Sequence, residues 1–266
     1  MIRTIAVLLV SLALAAPAVA QGAPPEAAAA LAPTGTLRVA INYGNPVLAQ
    51  KDPGSGEPRG VSPDLARELA RRLGVPATFV VFDAAGKVFE AVKRGEIDLV
   101  FLAVDPVRGA EIDFSAPYVE IEGVYLVPAA SPLTTLYAVD RPGVRVAVAR
   151  GSAYDLHLTR ALKQATLVRE PSGPEAMEMF ARDKLEAAAG VKQAIDAFAA
   201  ERPGFRTLPG RFMVIEQAVG TPKGRPAGLR YLKSFVEEMK ASGAVAASLQ
   251  RSGGADATVA PPAKGE

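Results

Sequence analysis

The sequence predicts an α/β fold divided into two units of similar size. Three observations carry this. From Thr36 to Val104 apolar runs of strand length alternate with amphipathic stretches in the order strand, helix, strand, helix, strand, the pattern of a parallel sheet. The pattern breaks at Ser131-Pro132 and restarts at Val144. The run Ile97 to Val104, rich in Val, Ile, Leu and Phe and preceded by Gly95, reads as a buried strand.

In order, Thr36 to Ile41 is the first strand, followed by the loop Asn42-Tyr43-Gly44-Asn45-Pro46 and a polar Gly/Pro turn region from Lys51 to Gly60. Ser62-Pro63-Asp64 supplies an N-cap, a Pro at the first helical position and an acid in the first turn. Leu65, Leu69 and Leu73 with Ala66 and Ala70 then form one apolar face that Gly74 ends. Thr78 to Phe82 is a strand and Asp83 to Arg94 a helix ending at Gly95. Gly123 to Val127 is a further apolar strand.

In the second unit Val144 to Ala149 is a strand, Gly151-Ser152-Ala153-Tyr154 begins a helix, and Thr166 to Val168 is a strand. Ser172 and Glu175 have capping-box spacing, so Pro174 to Arg182 is expected to be helical with Met177 and Phe180 inward. Glu186 to Ala189 is a short strand, and Val191 to Ala200 a helix burying Val191, Ile195 and Phe198. Phe212 to Val219 is a strand, and Pro226 to Ser242 a helix with Leu229, Leu232, Val236 and Met239 on one face. A last short helix holds Val245 and Leu249, and the Gly-, Ala- and Pro-rich residues 252–266 read as a disordered tail.

Residues 1–20 have the form of a signal peptide: Arg3, an apolar run from Ile5 to Ala16, then Pro17 and Ala18-Val19-Ala20. That run is too short to span a bilayer, so an exported protein cut near Ala20 is expected. Residues 21–34, rich in Ala and Pro, read as a linker. The chain has no Cys, which excludes disulfides, thiol catalysis and Cys-based metal sites. A single His157 weighs against zinc, and no metal or cofactor is expected. With 30 basic against 28 acidic residues and no Trp, neither a basic stripe nor a stacking platform for nucleic acid is present.

The most informative stretch is Gly95 to Tyr118. Its strand stops at Asp105-Pro106, an N-cap followed by a residue preset for a helical turn. Arg108 then sits on one short turn at the carboxyl end of a strand, where open α/β sheets bind ligands. A guanidinium there suits a two-pronged grip on a carboxylate; the alternative is an ion pair with Asp105, Glu111 or Asp113.

Gly-Glu-Ile-Asp-Leu, an Arg three residues past an Asp, and Ile-Asp-Phe-Ser-Ala-Pro-Tyr together resemble the family 3 solute-binding proteins, the periplasmic receptors of amino-acid ABC transporters. The likeness extends over roughly Thr36 to Gly253, with Gly60-Val-Ser-Pro-Asp-Leu-Ala and Gly151-Ser152 as further matches. It implies a type II periplasmic binding protein fold, two Rossmann-like lobes joined by a two-strand hinge. Mapped on this chain, residues 35–122 with 220–251 form one lobe and 123–219 the other, with crossings near Ile121 to Val127 and Met213 to Gly220. It implies a small carboxylate ligand held by Arg108, no catalytic residue, a membrane permease as partner, a monomer and a periplasmic location.

Four loops are then expected at the cleft. Asn42, Tyr43 and Asn45 follow the first strand, and Leu102 and Ala103 offer backbone groups before the Arg108 turn. Across the gap, Gly151, Ser152 and Ala153 start a helix whose N–H groups suit an anion; Ser152 is equally readable as a plain N-cap. Tyr43 and Tyr154 are either pocket walls or core aromatics. This chain departs from the family at three places. Ala103 and Asp105 replace hydroxyl residues, and Val191 stands where the resemblance implies a carboxylate for the ligand's ammonium. Either Asn42, Asp105 or another acid supplies that contact, or the ligand has no ammonium. A rival on the same scaffold is a cyclohexadienyl-dehydratase-like enzyme using Asp105, Glu122 or Glu186, to be tested with prephenate or arogenate; a sensor domain is a third reading.

Overall fold

The computed structural model describes residues 22–254 and 256–264; the expected signal peptide lies outside the described residues. The first lobe opens with helix α1 (Pro25–Leu31), strand β1 (Leu37–Asn42) and the hairpin β2 (Gln50–Lys51) and β3 (Pro58–Arg59). Helix α2 (Val61–Leu73), β4 (Ala77–Phe82), α3 (Ala85–Lys93) and β5 (Val100–Ala103) follow. A single 3-10 turn, Arg108–Ala110, leads into β6 (Ile112–Pro128). After a second 3-10 turn, Leu136–Val139, the other lobe holds β7 (Arg145–Ala149), α4 (Ala153–Ala161), β8 (Thr166–Glu170) and α5 (Gly173–Arg182). It continues with β9 (Ala187–Val191), α6 (Lys192–Glu201) and β10 (Phe205–Thr207). The chain closes with β11 (Met213–Pro222), α7 (Pro226–Ala241), α8 (Ala244–Arg251) and β12 (Thr258–Val259).

Each lobe repeats one parallel arrangement. β1 lies beside β4, and its other edge meets the approach to β5 through Val39 and Leu99. β7 lies between β8 and β9, parallel to both. Helices cover both faces, as apolar parallel strands require. In the first lobe α2 buries Leu65, Leu69 and Leu73 on one face, while Val88, Ala91 and Val92 of α3 pack on the other. Each fully buried Leu is worth about 1.5–3 kcal/mol, so α2 is held by its stripe more than by propensity. In the second lobe Met179 and Phe180 of α5 and Ile195 and Phe198 of α6 cover Val124, Leu126, Ala147 and Ala188.

Two long strands join the lobes. β6, 17 residues in one run, pairs antiparallel with β11 from Gly123 to Ile112 and with β9 from Gly123 to Leu126. β11 reaches back to pair with β5 through Gln217 to Gly220. The two register shifts in the β6–β11 ladder fall between Gln217 and Gly220, where extra residues locally sharpen the twist. The strand expected at Gly123 to Val127 is thus the second half of a strand that begins before Ser115-Ala116-Pro117.

Several expectations are corrected. Residues 25–31, placed in a linker, form α1: Pro24-Pro25 starts it, an Ala run propagates it, and buried Ala27 and Leu31 anchor it. Gly228 of α7 leaves the room, since a Cβ there would lie 2.8 Å from Leu31. The tail read as disordered holds β12, which pairs with β6, and buried Ala260, whose N–H donates to Tyr118 O at 3.1 Å. Two β-formers in a Gly/Ala/Pro context are too short a signal for periodicity to detect.

Ser62 does not cap α2. The helix starts two residues earlier, from Gly60, whose φ of +116° and Cβ direction, 2.7 Å from Leu48 O, admit only glycine. The Ser62 hydroxyl instead meets the buried Tyr118 hydroxyl at 3.0 Å. In α5 the inward residues are Ala176, Met179 and Phe180, with Met177 only half-buried. In α7 Leu229 is half-buried, and Phe235 joins Leu232, Val236 and Met239. Ser172 caps α5 as its spacing predicts, its Oγ accepting from Glu175 N at 3.4 Å, but the Glu175 carboxylate accepts from the Ser172 hydroxyl at 2.8 Å rather than from the backbone N–H of a full capping box.

Candidate functional site

Because both lobes are parallel sheets, the carboxyl ends of their strands face each other across one cleft. Asn42 and Asn45 follow β1, Asp83 to Ala85 follow β4, and Leu102, Ala103 and Arg108 end β5 and begin its turn. From the other lobe come Ala149, Ser152, Ala153 and Tyr154 at the β7–α4 junction, Gly173 at the start of α5, and Val191 at the end of β9. The joining strand β11 adds Ile215 and Gln217, and Phe101 lies beneath. These residues enclose about 40 Å³, space for a few water molecules.

Arg108 is the one cation in this lining, and it is 1% exposed. Its turn is set by Asp105, whose Oδ1 accepts from Val107 N at 2.8 Å and whose carbonyl accepts from Gly109 N at 2.8 Å. Nη1 donates to Ala103 O at 2.9 Å, tying the guanidinium to its own strand, and Nη2 reaches across the cleft to Gly151 O at 3.0 Å. Nε is buried with no hydrogen-bond partner among the described residues. The ion pair considered for it is not made: Asp105 Oδ2 instead accepts from Arg160 Nη2 at 2.7 Å. Burial pushes the guanidinium down to about 10, against a smaller upward pull from Asp105, and it stays charged at neutral pH.

The opposite wall is a helix start. Ser152 Oγ accepts from Asp155 N at 3.0 Å, and Asp155 Oδ2 accepts from Gly151 N at 2.8 Å; with Ser152 N donating to Ala149 O at 3.1 Å, two of the three N–H groups expected to meet an anion are taken within the chain. Ser152 therefore caps α4 and lines the cavity at once. A helix leaves its first N–H groups without partners inside it, and Ala153 and Tyr154 bring that end of α4 to the cavity. Tyr154 is a wall and a core residue together, its hydroxyl pushed up to about 12 by burial, with Ser152 opposing.

Among the described residues, these contacts bridge the two lobes across the cleft. One is Arg108 to Gly151 O and a second is Asp105 to Arg160. The third is backbone against backbone: a Cβ on Gly86 would lie 2.6 Å from Arg150 O, and one on Gly151 would lie 3.0 Å from Gly86 Cα. Gly151 also has φ +69°.

Of the residues singled out in the sequence, Asn42, Asn45, Leu102, Ala103, Arg108, Ser152, Ala153 and Val191 come together around the cavity. Gly151 touches it only through the carbonyl held by Arg108, and Tyr43 does not line it: half-buried, it packs against the main core instead. Gln217, Phe101, Ile215 and Asp83 were not singled out. Asp83 ends a parallel strand just as Asn42 does, so the strand-end rule extends to it, and Gln217 is a polar residue inside an apolar strand. The acids of the enzyme reading lie off the cavity: Glu186 pairs with Arg145 and Glu122 with Arg211 on the surface, and Asp105 with Arg160. His157 stacks on Phe212. Among the described residues no acidic or His cluster can hold a metal ion, and no helix is long and apolar enough to cross a membrane.

The sequence model of the bacterial extracellular solute-binding proteins, family 3, matches residues 37–255. No curated protein matches the sequence. Among solved structures, the solute receptor for L-cysteine of Neisseria gonorrhoeae superposes with a TM-score of 0.73 at 23% identity, covering 85% of this chain and 92% of that one. An amino acid ABC transporter substrate-binding protein from Streptococcus pneumoniae, bound to L-arginine, gives 0.72 at 20% identity, covering 88% and 99%. An ancestral amino acid-binding protein, described as a precursor of cyclohexadienyl dehydratase, gives 0.70 at 24% identity, covering 84% and 97%. At these identities the likeness is one of fold: the two-lobed type II periplasmic binding protein arrangement.

Proposed function

The chain belongs to the bacterial extracellular solute-binding proteins, family 3, and from that premise we propose that in the periplasm it captures a small carboxylated solute by closing its two lobes and delivers it to the membrane permease of an ABC transporter. The observation that carries this reading is Arg108: a fully buried guanidinium with two carbonyl partners, an unpartnered Nε and no carboxylate. Burying an unpaired charge costs several kcal/mol, a cost that an anionic ligand offsets. Nη1 is anchored to Ala103, so the free edge is Nε with Nη2, the pair that grips a carboxylate two-pronged. Binding exchanges the Gly151 carbonyl on Nη2 for a carboxylate oxygen and fills Nε. The signal-like residues 1–20 support export, and the acids of the enzyme reading, each paired with an arginine away from the cavity, favour binding over catalysis.

A thermal-shift screen of the purified mature protein, residues 21–266, against amino acids, amines and carboxylates tests the reading. A ligand at a hundred times its Kd stabilises by about 2.7 kcal/mol, which moves the midpoint of a chain this size by roughly 5–10 °C. Stabilisation only by amines would sink the carboxylate assignment.

Closure itself is tested at Gly86. Its Cβ would collide only with Arg150 and Gly151 of the other lobe, and Ala suits a helix better than Gly. Gly86→Ala is therefore expected to leave unliganded melting unchanged or slightly higher while weakening ligand binding at least tenfold. Small-angle scattering should show less compaction on adding ligand. Unaltered affinity would mean that the ligand is held without this contact.

A further inference from the structure

We propose that the cleft selects carboxylates lacking an α-ammonium group, such as 2-hydroxy, 2-oxo or unsubstituted acids, and discriminates against α-amino acids. The inference rests on the carboxylate reading of Arg108 and adds the class of acid. Charge bookkeeping within the cavity decides it. An anion beside Arg108 makes the enclosed site neutral, whereas a zwitterion leaves one positive charge enclosed, and its ammonium needs acceptors that the walls must supply.

Each acid near the cavity is already committed. Asp105 holds Arg160 through Oδ2 and Val107 N through Oδ1. Asp155 holds Gly151 N with Oδ2, and Arg169 Nε at 2.8 Å with Oδ1. Asp83 lines the cavity, but its side chain is 62% exposed and paired with Lys87 at 2.7 Å. The amides carry no charge to balance an ammonium: Asn42 Oδ1 accepts from Gly44 N at 2.9 Å and Asn45 Oδ1 from Val47 N at 3.3 Å, which leaves their NH2 ends, donors, for a ligand, and Gln217 adds one more neutral group to the lining. On the second lobe's wall Val191 presents an apolar side chain at the start of α6, where no side chain caps the helix. The lining is rich in donors and poor in free anionic acceptors, the complement of an oxygen-bearing acid.

Calorimetry at pH 7.5 with skeleton-matched probes decides it: L-alanine against L-lactate and pyruvate, L-leucine against 2-hydroxy-4-methylpentanoate, L-glutamate against 2-oxoglutarate. For a skeleton that binds, the amino-free member is expected to be at least tenfold tighter. An amino acid binding as tightly or more tightly overturns this inference and leaves the carboxylate receptor standing. If no skeleton binds and the solute that does is indifferent to Arg108→Met, the carboxylate reading falls and this inference with it. Val191→Asp supplies the second arm. Asp is a favoured N-cap, so the variant keeps α6, and it should shift the ratio at least tenfold toward the amino acid; an unmoved ratio overturns the role given to Val191.

Discussion

Arg108→Met is expected to remove carboxylate binding while leaving a folded protein. The substitution keeps most of the side chain's length and takes away the charge. Truncating one partner of a buried, hydrogen-bonded charge pair costs about 2–5 kcal/mol or more in binding, and each 1.4 kcal/mol is about tenfold. A micromolar ligand would thus become a millimolar one, and the thermal shift would vanish at ordinary concentrations. Two opposing changes set the unliganded stability. The carbonyls of Ala103 and Gly151 lose a donor, at about 1–3 kcal/mol for each left unpaired. Against this, a guanidinium without a carboxylate leaves the interior, which relieves several kcal/mol. The melting midpoint should move by only a few degrees in either direction. A variant that melts cooperatively and is still stabilised in full by the same acids would refute the role of Arg108.

Much of this was legible in the chain because strand ends are legible. An apolar run of strand length followed by Asp-Pro locates the end of β5, and Arg108 three residues on is delivered to the cleft by a turn that Asp105 caps from its own side chain. The same rule finds Asn42, Asn45 and Ser152. What the rule cannot give is the partner. Asp105 reads equally well as a mate for Arg108 or as a cap, and only the juxtaposition of two lobes shows that Arg160, 55 residues away in the chain, takes its other oxygen.

The Gly86–Gly151 contact is invisible for the same reason: a glycine in the first turn of a helix carries no local signal that another lobe's backbone will lie against it. Composition misled at both ends. Ala and Pro are linker residues by frequency, but Pro-Pro followed by an Ala run and a buried Leu31 makes a short docked helix. Tyr43 shares the loop of Asn42 and Asn45 but packs against the main core instead, and nothing local in the sequence separates the two directions.

Asp98 is where the largest loss of stability is expected. It lies between Ile97 and Leu99 at the approach to β5, away from the cavity, and its side chain is wholly buried. Its carboxylate accepts from Arg38 N at 3.3 Å, from Arg38 Nε at 2.7 Å and Nη2 at 2.8 Å, and it pairs with Arg225 at 2.9 Å. One acid thus ties the start of β1, the entrance of β5 and the N-cap residue of α7. Asp98→Asn keeps the shape, removes the charge and turns an amide NH2 toward two guanidinium groups. Breaking a buried pair from one side costs about 3–5 kcal/mol, or roughly 6–20 °C for a chain of this size.

The pH dependence carries a sign. Burial alone would raise the Asp98 carboxyl, but the hydrogen bonds from Arg38 and Arg225 outweigh it and hold the group below the ordinary value of 3.8. A group depressed by folding contributes fully above its unfolded value and loses that contribution as pH falls through the folded one. The gap between wild type and variant should therefore be constant from neutral pH down to about pH 5 and narrow below pH 4. Because β5 separates Asp98 at one end from Arg108 beyond the other, the variant should melt early yet bind its acid with unchanged affinity at 20 °C. An early melt accompanied by lost binding would mean that the β1–β5–α7 tie also sets the cleft, and an unmoved midpoint would mean that the buried pair contributes nothing net to the fold.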